Sequence, residues 1–233
     1  LIREETRSLA ERFGDERKTE IVPEEIKEMD VEDLIQKQEM VVILTRKGYI
    51  KRIPSNSYRT YKTTGVKGAS SSSRMAEDDV INQLFVASTH DYILFLSSEG
   101  RAFYLKVLEI PEAGRSSRGT HVKTLLQVSA DENIEAIMPF SEFRSDWFVF
   151  MATARGLVKK VVLQDLVNAK TRGIRAINLK DGDKLRNAML TTGEQEVMLV
   201  TRQGKALRVD EQEVRTSGRT SMGVRGITLR SQD

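Results

Sequence analysis

One short phrase occurs four times in this 233-residue chain: an apolar strand, a Thr or Ser, two further residues and a Gly, followed by a second strand. The copies end at Gly48, Gly100, Gly156 and Gly204, which are 52, 56 and 48 residues apart. A strand-based period near fifty residues is typical of a radial or stacked β array. Because one such unit cannot bury its apolar face alone, the copies must pack on one another.

A second glycine follows each hairpin glycine by 17 or 19 residues and lies in a basic stretch of sequence. These glycines are Gly65, Gly119, Gly173 and Gly223. Two unrelated features that keep nearly the same offset in four copies indicate internal duplication. Connectors such as residues 131–138 and 182–189 add one further strand per unit, so that each repeat has about four strands, the content of one propeller blade.

We therefore predict an all-β, propeller-like array of blades of about fifty residues, preceded by a short helical leader. Residues 1–39 form the acidic leader, and residues 40–233 form the repeats. The leader begins with an amphipathic helix over residues 1–13 that we expect Gly14 to end. The blade motifs lie near residues 41–68, 92–123, 148–177 and 197–229, and the array is expected to be a fragment or a short, open one.

The net charge of +3 conceals a strong division along the chain. Residues 1–39 contain 7 Lys or Arg and 13 Asp or Glu, whereas residues 40–233 contain 30 and 21. The repeats are therefore the basic part, and their predicted partner is a polyanion. The chain contains no cysteine, which excludes disulfides and thiolate metal sites and fits a reducing cytoplasm.

Residues that carry out catalysis are poorly represented. The two histidines, His90 and His121, are far apart in the sequence and are interpreted as structural or surface residues. The acidic pairs that include Asp79 and Glu132 fall in polar connectors and are interpreted as solvated turns. We assign no catalytic residue, no metal site and no cofactor to this segment.

Basic residues recur at equivalent places in each repeat, on the return strand of the hairpin and around the second glycine. Such a pattern can neutralise successive phosphates without reading bases, and the glycines allow backbone amides to approach phosphate oxygens. Sparse aromatic residues near these loops disfavour binding of single strands by base stacking. The alternative is that these cations only solvate outward strand faces. The candidate DNA-binding residues are Lys62, Thr63, Thr64, Gly65, Lys67, Gly68, Arg115, Arg118, Lys123, Lys159, Lys160, Lys170, Arg172, Arg175, Arg208, Arg219 and Arg225.

The sequence also resembles a known family. Residues 13–21 resemble the segment that joins the breakage–reunion core of type IIA topoisomerases to their C-terminal domain. Residues 86–91, 108–119, 150–160 and 223–227 are similar to gyrase A more than to its topoisomerase IV paralogue.

This resemblance implies a β-pinwheel whose basic rim wraps duplex DNA in support of ATP-dependent supercoiling. It implies two protein partners, the rest of gyrase A and its partner gyrase B, in a heterotetramer in the bacterial cytoplasm at the nucleoid. The catalytic tyrosine, the ATPase and its Mg²⁺ belong to other parts of that assembly, so this segment would be one domain of an enzyme.

Two features depart from the family pattern. The family signature Gln-Arg-Arg-Gly-Gly-Arg/Lys-Gly corresponds here to residues 62–68, which keep two glycines and the second basic residue but lose the arginine pair. The family has about six blades, whereas four copies are present. A topoisomerase IV-like domain with weak wrapping and a propeller that binds acidic proteins therefore remain the alternatives.

Overall fold

The computed structural model describes residues 1–15, 31–58 and 79–229. The chain divides into two units, Leu1–Leu34 and Ile35–Asp233. The first contains α1 (Ile2–Phe13), whose described side chains are all exposed, and a 3₁₀ turn at Val31–Leu34. The helix ends at Phe13 as expected, but Gly14 has φ −73°, so it is not a left-handed cap. Within the described ranges, no helix has both the length and the apolar character needed to cross a bilayer.

The second unit is built from antiparallel strands, as predicted. Three four-stranded sheets have the orders β3-β1-β2-β6 (blade 1), β7-β4-β5-β10 (blade 2) and β11-β8-β9-β14 (blade 3), and β12-β13 forms blade 4. The strand bounds are β1 Glu39–Thr45, β2 Tyr49–Pro54, β3 Ile81–Ser88, β4 Tyr92–Ser97, β5 Arg101–Lys106, β6 Thr120–His121, β7 Ile134–Phe140, β8 Phe148–Thr153, β9 Leu157–Val162, β10 Ile174–Arg175, β11 Leu185–Thr191, β12 Glu196–Val200, β13 Ala206–Asp210 and β14 Val224–Arg225. One helical turn follows each return strand, and α2 follows β6. These turns are Ser55–Tyr58, Val107–Glu109, Leu163–Leu166 and Glu211–Glu213, and α2 is Val122–Leu125.

Each of blades 1 to 3 receives its outer strand from the following repeat. Three strands of a blade come from one repeat, and the fourth comes from the segment around the second glycine of the following repeat. Thus β6, which follows Gly119 in the second repeat, pairs with β2 of the first. In the same way β10 pairs with β5, and β14 pairs with β9. The blades are therefore linked by hydrogen bonds as well as by apolar contact.

Apolar side chains fill the space between successive blades. On β4, Ile93 and Phe95 pack towards blade 1, whereas Leu94 and Leu96 pack towards blade 3. A third cluster joins blades 3 and 4 through residues that include Phe150 and Val197. Because neighbouring side chains of a strand point to opposite faces, one central strand supplies two cores. This explains why the first strand of each hairpin is a continuous apolar run.

The hydroxyl of the repeated phrase closes each hairpin. The backbone N–H four residues later donates to the side-chain oxygen of Thr45, Ser97, Thr153 or Thr201 at 3.1 to 3.2 Å. The glycine N–H donates to the carbonyl oxygen of the same Thr or Ser at 3.0 Å in all four copies. The glycines themselves have φ between +75° and +84°, as the turn prediction requires. All four hydroxyl residues are buried.

Buried carboxylates complete three of these turns, which corrects the interpretation of the acidic connectors as solvated. Asp79 accepts hydrogen bonds from the N–H groups of Lys47 and Val80, and Asp183 accepts from that of Arg155. Glu132 accepts from the Ser97 hydroxyl and forms an ion pair with Arg101 at 3.0 Å. Asp79 and Asp183 can be buried because they satisfy turn N–H groups that the strands leave without partners, and Glu132 because the Ser97 hydroxyl and Arg101 satisfy its oxygens.

Candidate nucleic-acid interface

The segments around Gly119, Gly173 and Gly223 lie on the outer edges of the blades. The opposite edge of each sheet is formed by β3, β7 or β11, and these three strands contact one another from blade to blade. The edges formed by β6, β10 and β14 therefore face away from the shared interior. We call the segments that carry these strands the perimeter loops: residues 113–121, 170–176 and 215–225.

The second glycine of each perimeter loop lets the loop approach the return strand of the preceding blade. At Gly223 (φ +86°) an added Cβ would lie 2.5 Å from the carbonyl oxygen of Val158, and at Gly119 (φ +87°) one would lie 2.6 Å from that of Ile50. Any side chain would collide with the strand, so close approach accounts for the second periodic glycine.

On two of the return strands, a buried lysine binds the backbone of the perimeter loops. The first of these lysines is Lys51. Lys51 Nζ donates to the carbonyl oxygens of Arg115 at 2.9 Å and Ser117 at 2.7 Å, with a longer contact to Gly114 at 3.4 Å. Its side chain is 2% exposed.

Lys159 occupies the equivalent place two blades further on and is 1% exposed. Its Nζ donates to the carbonyl oxygens of Ala176 at 2.8 Å, Arg219 at 2.7 Å and Ser221 at 2.9 Å. Burial lowers the pKa of Lys159 to about 8, and burial likewise lowers the pKa of Lys51.

This geometry corrects two predicted DNA contacts. Lys159 and Lys160 were expected at the interface, but they are 1% and 5% exposed. Lys160 Nζ donates to the carbonyl oxygen of Glu211 at 2.8 Å and lies 5.1 Å from the centre of the Phe148 ring. Long lysine stems pack well against apolar neighbours, and backbone carbonyls replace the water around the ammonium. Neither ammonium is at the surface, where a phosphate would be.

Most of the other predicted cations are exposed. Arg118 lies over the Tyr49 ring at 3.9 Å, Arg175 donates to Asn178 Oδ1 at 2.7 Å, and Arg219 is half-buried. Arg208 lies outside the perimeter loops, on β13, where it pairs with Glu196 at 3.4 Å. Lys123 follows the first described loop, and its Nζ donates to the carbonyl oxygen of Ala130. The exposed cations in or beside the loops are Arg115, Arg118, Lys123, Lys170, Arg172, Arg175, Arg215 and Arg225.

The candidate residues of the first basic stretch lie outside the described residues. They are Lys62, Thr63, Thr64, Gly65, Lys67 and Gly68. The list of candidate residues from the sequence also lacked Arg215 and, more importantly, Lys51. Its signal was available, since Lys51 holds the same position in its return strand as Lys159 does. What the strand pattern did not reveal is that both positions point inward.

A cavity of about 470 Å³ lies between blades 3 and 4 and away from the perimeter loops. Among its described lining residues the ionisable ones are Arg186 and Arg202, so these residues offer no carboxylate or histidine for acid–base chemistry. Among the described side chains, no group of three or more His, Asp or Glu residues is placed to hold a metal ion.

A family model described as "DNA gyrase C-terminal domain, beta-propeller" matches residues 39–88, 91–141, 148–192 and 195–233. Each match contains the strands that one repeat contributes to its own blade, three in blades 1 to 3 and two in blade 4. The chain belongs to the DNA gyrase C-terminal domain family. The β-pinwheel expected from the resemblance is thereby confirmed as the fold class of this gyrase-family domain.

Curated relatives and solved structures agree with this assignment. The domain is 55% identical over 221 residues to the DNA gyrase A protein of Treponema pallidum, which covers 95% of this chain and 27% of that protein. It is 45% identical over 233 residues to the DNA gyrase A protein of Salmonella typhimurium, covering 100% of this chain and 26% of the relative. The chain thus spans about a quarter of the length of these curated relatives.

Two solved structures share the fold of the gyrase-family domain. The C-terminal domain of DNA topoisomerase IV matches with a TM-score of 0.70 and 28% identity, covering 84% of this chain and 59% of that one. A DNA gyrase A C-terminal domain matches with a TM-score of 0.65 and 27% identity, covering 83% and 62%. The fold is therefore common to both paralogues.

Proposed function

We propose that the perimeter loops bind the phosphates of duplex DNA and bend it around the outer edges of the blades. The observation that carries this proposal is the recurrence of a cationic loop at the same edge of three successive sheets. Exposed arginines on each loop can neutralise successive phosphates, and a curved row of them offsets the cost of bending. Bending a site of 20–30 base pairs costs a few kcal/mol, which several phosphate contacts repay.

The chemistry of these loops favours backbone contacts over base reading. Arginine binds phosphate oxygens in a bidentate manner, and the loops are too short to place a helix in a groove. Tyr49, an aromatic residue in contact with a perimeter-loop arginine, lies beneath Arg118. Binding is therefore expected to be independent of sequence and strongly dependent on salt.

The role of the whole protein is part of the same proposal. As in gyrase A-like proteins, the wrapped segment would be presented for strand passage that is driven by ATP on a gyrase B partner. The catalytic tyrosine and the ATPase would be supplied outside residues 1–233. We also propose a cytoplasmic, nucleoid-associated location, because the curated relatives are subunits of bacterial DNA gyrases.

Two measurements on the 233-residue chain test the proposal. Affinity for a long duplex should fall with salt with a log–log slope near −9 if about ten phosphates are neutralised, and a short duplex should bind more weakly. A nicked plasmid that is religated with the protein bound should retain a change in linking number. A slope near zero, or equal affinity for both lengths, contradicts the proposal.

Weak wrapping of the topoisomerase IV kind is the second candidate, and the altered signature at residues 62–68 favours it. Both candidates require duplex binding, but they differ in the linking-number change per bound chain. A steep salt dependence without a change in linking number supports the weak form. Binding to an acidic protein without any affinity for DNA would instead support a protein-interaction module.

A further inference from the structure

The geometry points to Lys51 and Lys159 as positioning residues for DNA binding: each ammonium holds the backbone of a perimeter loop from beneath and adds a positive charge that does not itself contact DNA. This inference rests on the proposed function and names residues whose part in it is indirect. Neither side chain can reach a ligand at the surface, since both are almost fully buried.

Each ammonium donates a hydrogen bond to the backbone carbonyl of a loop arginine. Lys51 binds the carbonyl oxygen of Arg115, and Lys159 binds that of Arg219. The side chain of Arg115 is exposed and that of Arg219 is half-buried. The same residue therefore turns its carbonyl inward to the lysine and carries its guanidinium on the perimeter. Removing the ammonium would leave carbonyl oxygens without donors and release the backbone that orients the arginine.

The loop at residues 170–176 allows a comparison, because the strand beneath it has no lysine at the equivalent position. Phe103 holds the same place on β5 that Lys51 and Lys159 hold on β2 and β9, and its ring packs against Gly173. The loop over it is held from the surface, where Arg101 Nη2 donates to the carbonyl oxygen of Arg172 at 2.7 Å. Loss of Lys51 should therefore affect residues 113–121, whereas loss of Lys159 should affect residues 215–225 and the carbonyl of Ala176 and leave residues 113–121 unchanged.

The charge of Lys159 is not balanced by an acid. In the described part of the chain no carboxylate pairs with its ammonium. The ionisable side chains on the elements around it are Lys160 on its own strand, Arg215, Arg219 and Arg225 on the 215–225 loop, and Lys170, Arg172 and Arg175 on the loop that contains Ala176. All of these are basic. Phosphates placed over the loop would therefore favour the charged form of Lys159, and DNA binding should raise its pKa.

For Lys159, the pH dependence of stability and the pH dependence of DNA affinity have opposite signs. Burial lowers the pKa of Lys159 from 10.5 to about 8, so the unfolded chain binds more protons between these values, and for this group stability rises with pH. Deprotonation removes the charge beneath the loop, so DNA affinity should fall over the same interval. Because the contributions of Lys159 to affinity and to stability move in opposite directions, its deprotonation near pH 8 to 9 would lower affinity without destabilising the fold.

The test compares the full chain with its Lys159→Met variant, and uses Phe103→Leu as the matched control at the equivalent position. Duplex affinity is measured from pH 7 to 9.5 at constant salt. At pH 7 we expect Lys159→Met to bind about tenfold more weakly, the equivalent of about 1.4 kcal/mol. The wild-type affinity should fall through pH 8 to 9, whereas that of the variant, which keeps Lys51, should fall less steeply there. Phe103→Leu should retain the wild-type pH profile.

Two further measurements distinguish the positioning role of Lys159 from DNA binding itself and from misfolding of the variant. Hydrogen exchange should be faster at residues 215–225 in Lys159→Met and unchanged at 113–121, the loop that Lys51 holds. If the variant unfolds, the ¹⁵N signal of the wild-type Lys159 ammonium is titrated with and without duplex, and its pKa should rise on binding. Parallel pH profiles, unchanged exchange or an unchanged pKa would overturn the inference. A wild-type chain that shows no duplex binding refutes the proposed function, while the exchange result still decides whether Lys159 holds the loop.

Discussion

Gly223 packs directly against Lys159: a methyl group at Gly223 would lie 3.1 Å from the Cβ of Lys159 and 2.5 Å from the carbonyl oxygen of Val158. Gly119 has the same relation to Lys51, with a Cβ distance of 3.1 Å. A glycine on the loop and a lysine on the strand thus form one structural unit, in which the absence of a side chain brings the loop carbonyls within reach of the ammonium.

Gly223→Ala should therefore detach the 215–225 loop. Its φ of +86° and the short contacts predict a cost of about 1–3 kcal/mol in the free energy of unfolding, with a parallel loss of duplex affinity. Urea denaturation and a binding titration measure the two effects. Gly218→Ala is the matched control, since an added Cβ there meets no atom within 4 Å. Equal stability of the two variants would contradict the close-approach explanation.

Thr153→Val should destabilise the third hairpin. The Leu157 N–H donates to the Thr153 hydroxyl at 3.2 Å, and valine keeps the shape of the side chain but removes the acceptor of this part-buried donor. The expected loss is about 1–2 kcal/mol in the free energy of unfolding, measured by chemical denaturation. Thr192→Val, at an exposed threonine, serves as the control and should change stability by less than about 0.5 kcal/mol.

Asp79 should make the stability of the chain depend on pH in the acid range. Burial by itself would raise the pKa of Asp79, but hydrogen bonds from Thr45 and from the backbone N–H groups of Lys47 and Val80 lower it below 3.8. A lowered carboxyl pKa contributes stability that is present above the unfolded value of 3.8 and is lost as pH falls through the folded value.

Asp79→Asn should therefore be less stable than wild type at pH 7, by about 1 kcal/mol, and the difference should narrow below pH 4. Denaturation curves from pH 7 to 3 provide the measurement, with the exposed Asp131→Asn as control. A difference that stays constant over this range would show that the charge of Asp79 does not contribute.

Arg225→Ala tests the perimeter itself. This exposed residue lies on β14, so its removal should weaken duplex binding uniformly across sequences and make the log–log salt slope less steep by about 0.9, the value for one phosphate. Arg144→Ala removes an equally exposed arginine from the 141–147 connector, where it pairs with Asp146 at 2.6 Å. A matching change in both variants would indicate that only net charge matters.

Much of the hairpin chemistry was predictable, because it is local. The Thr or Ser and the Gly of the phrase lie three residues apart and close a turn through their own backbone and side chain. The carboxylates that complete the turns were misassigned, because Asp79 and Glu132 lie 34 and 35 residues after the hydroxyls they accompany. Burial of an acid depends on which N–H groups meet it in space, and an acid-rich connector looks the same whether it is solvated or folded inward.

By itself the sequence determined the repeat, its period, the all-β class and the two periodic glycines, because turns and apolar alternation depend on neighbouring residues. Only the tertiary structure decided that each of the three perimeter loops belongs to the preceding blade and that Lys51, Lys159 and Lys160 point inward. Alternation within a strand assigns side chains to two faces but does not say which face another chain segment will cover. A lysine becomes internal when carbonyls from a distant loop replace its water, and those carbonyls arrive only when the blades have assembled.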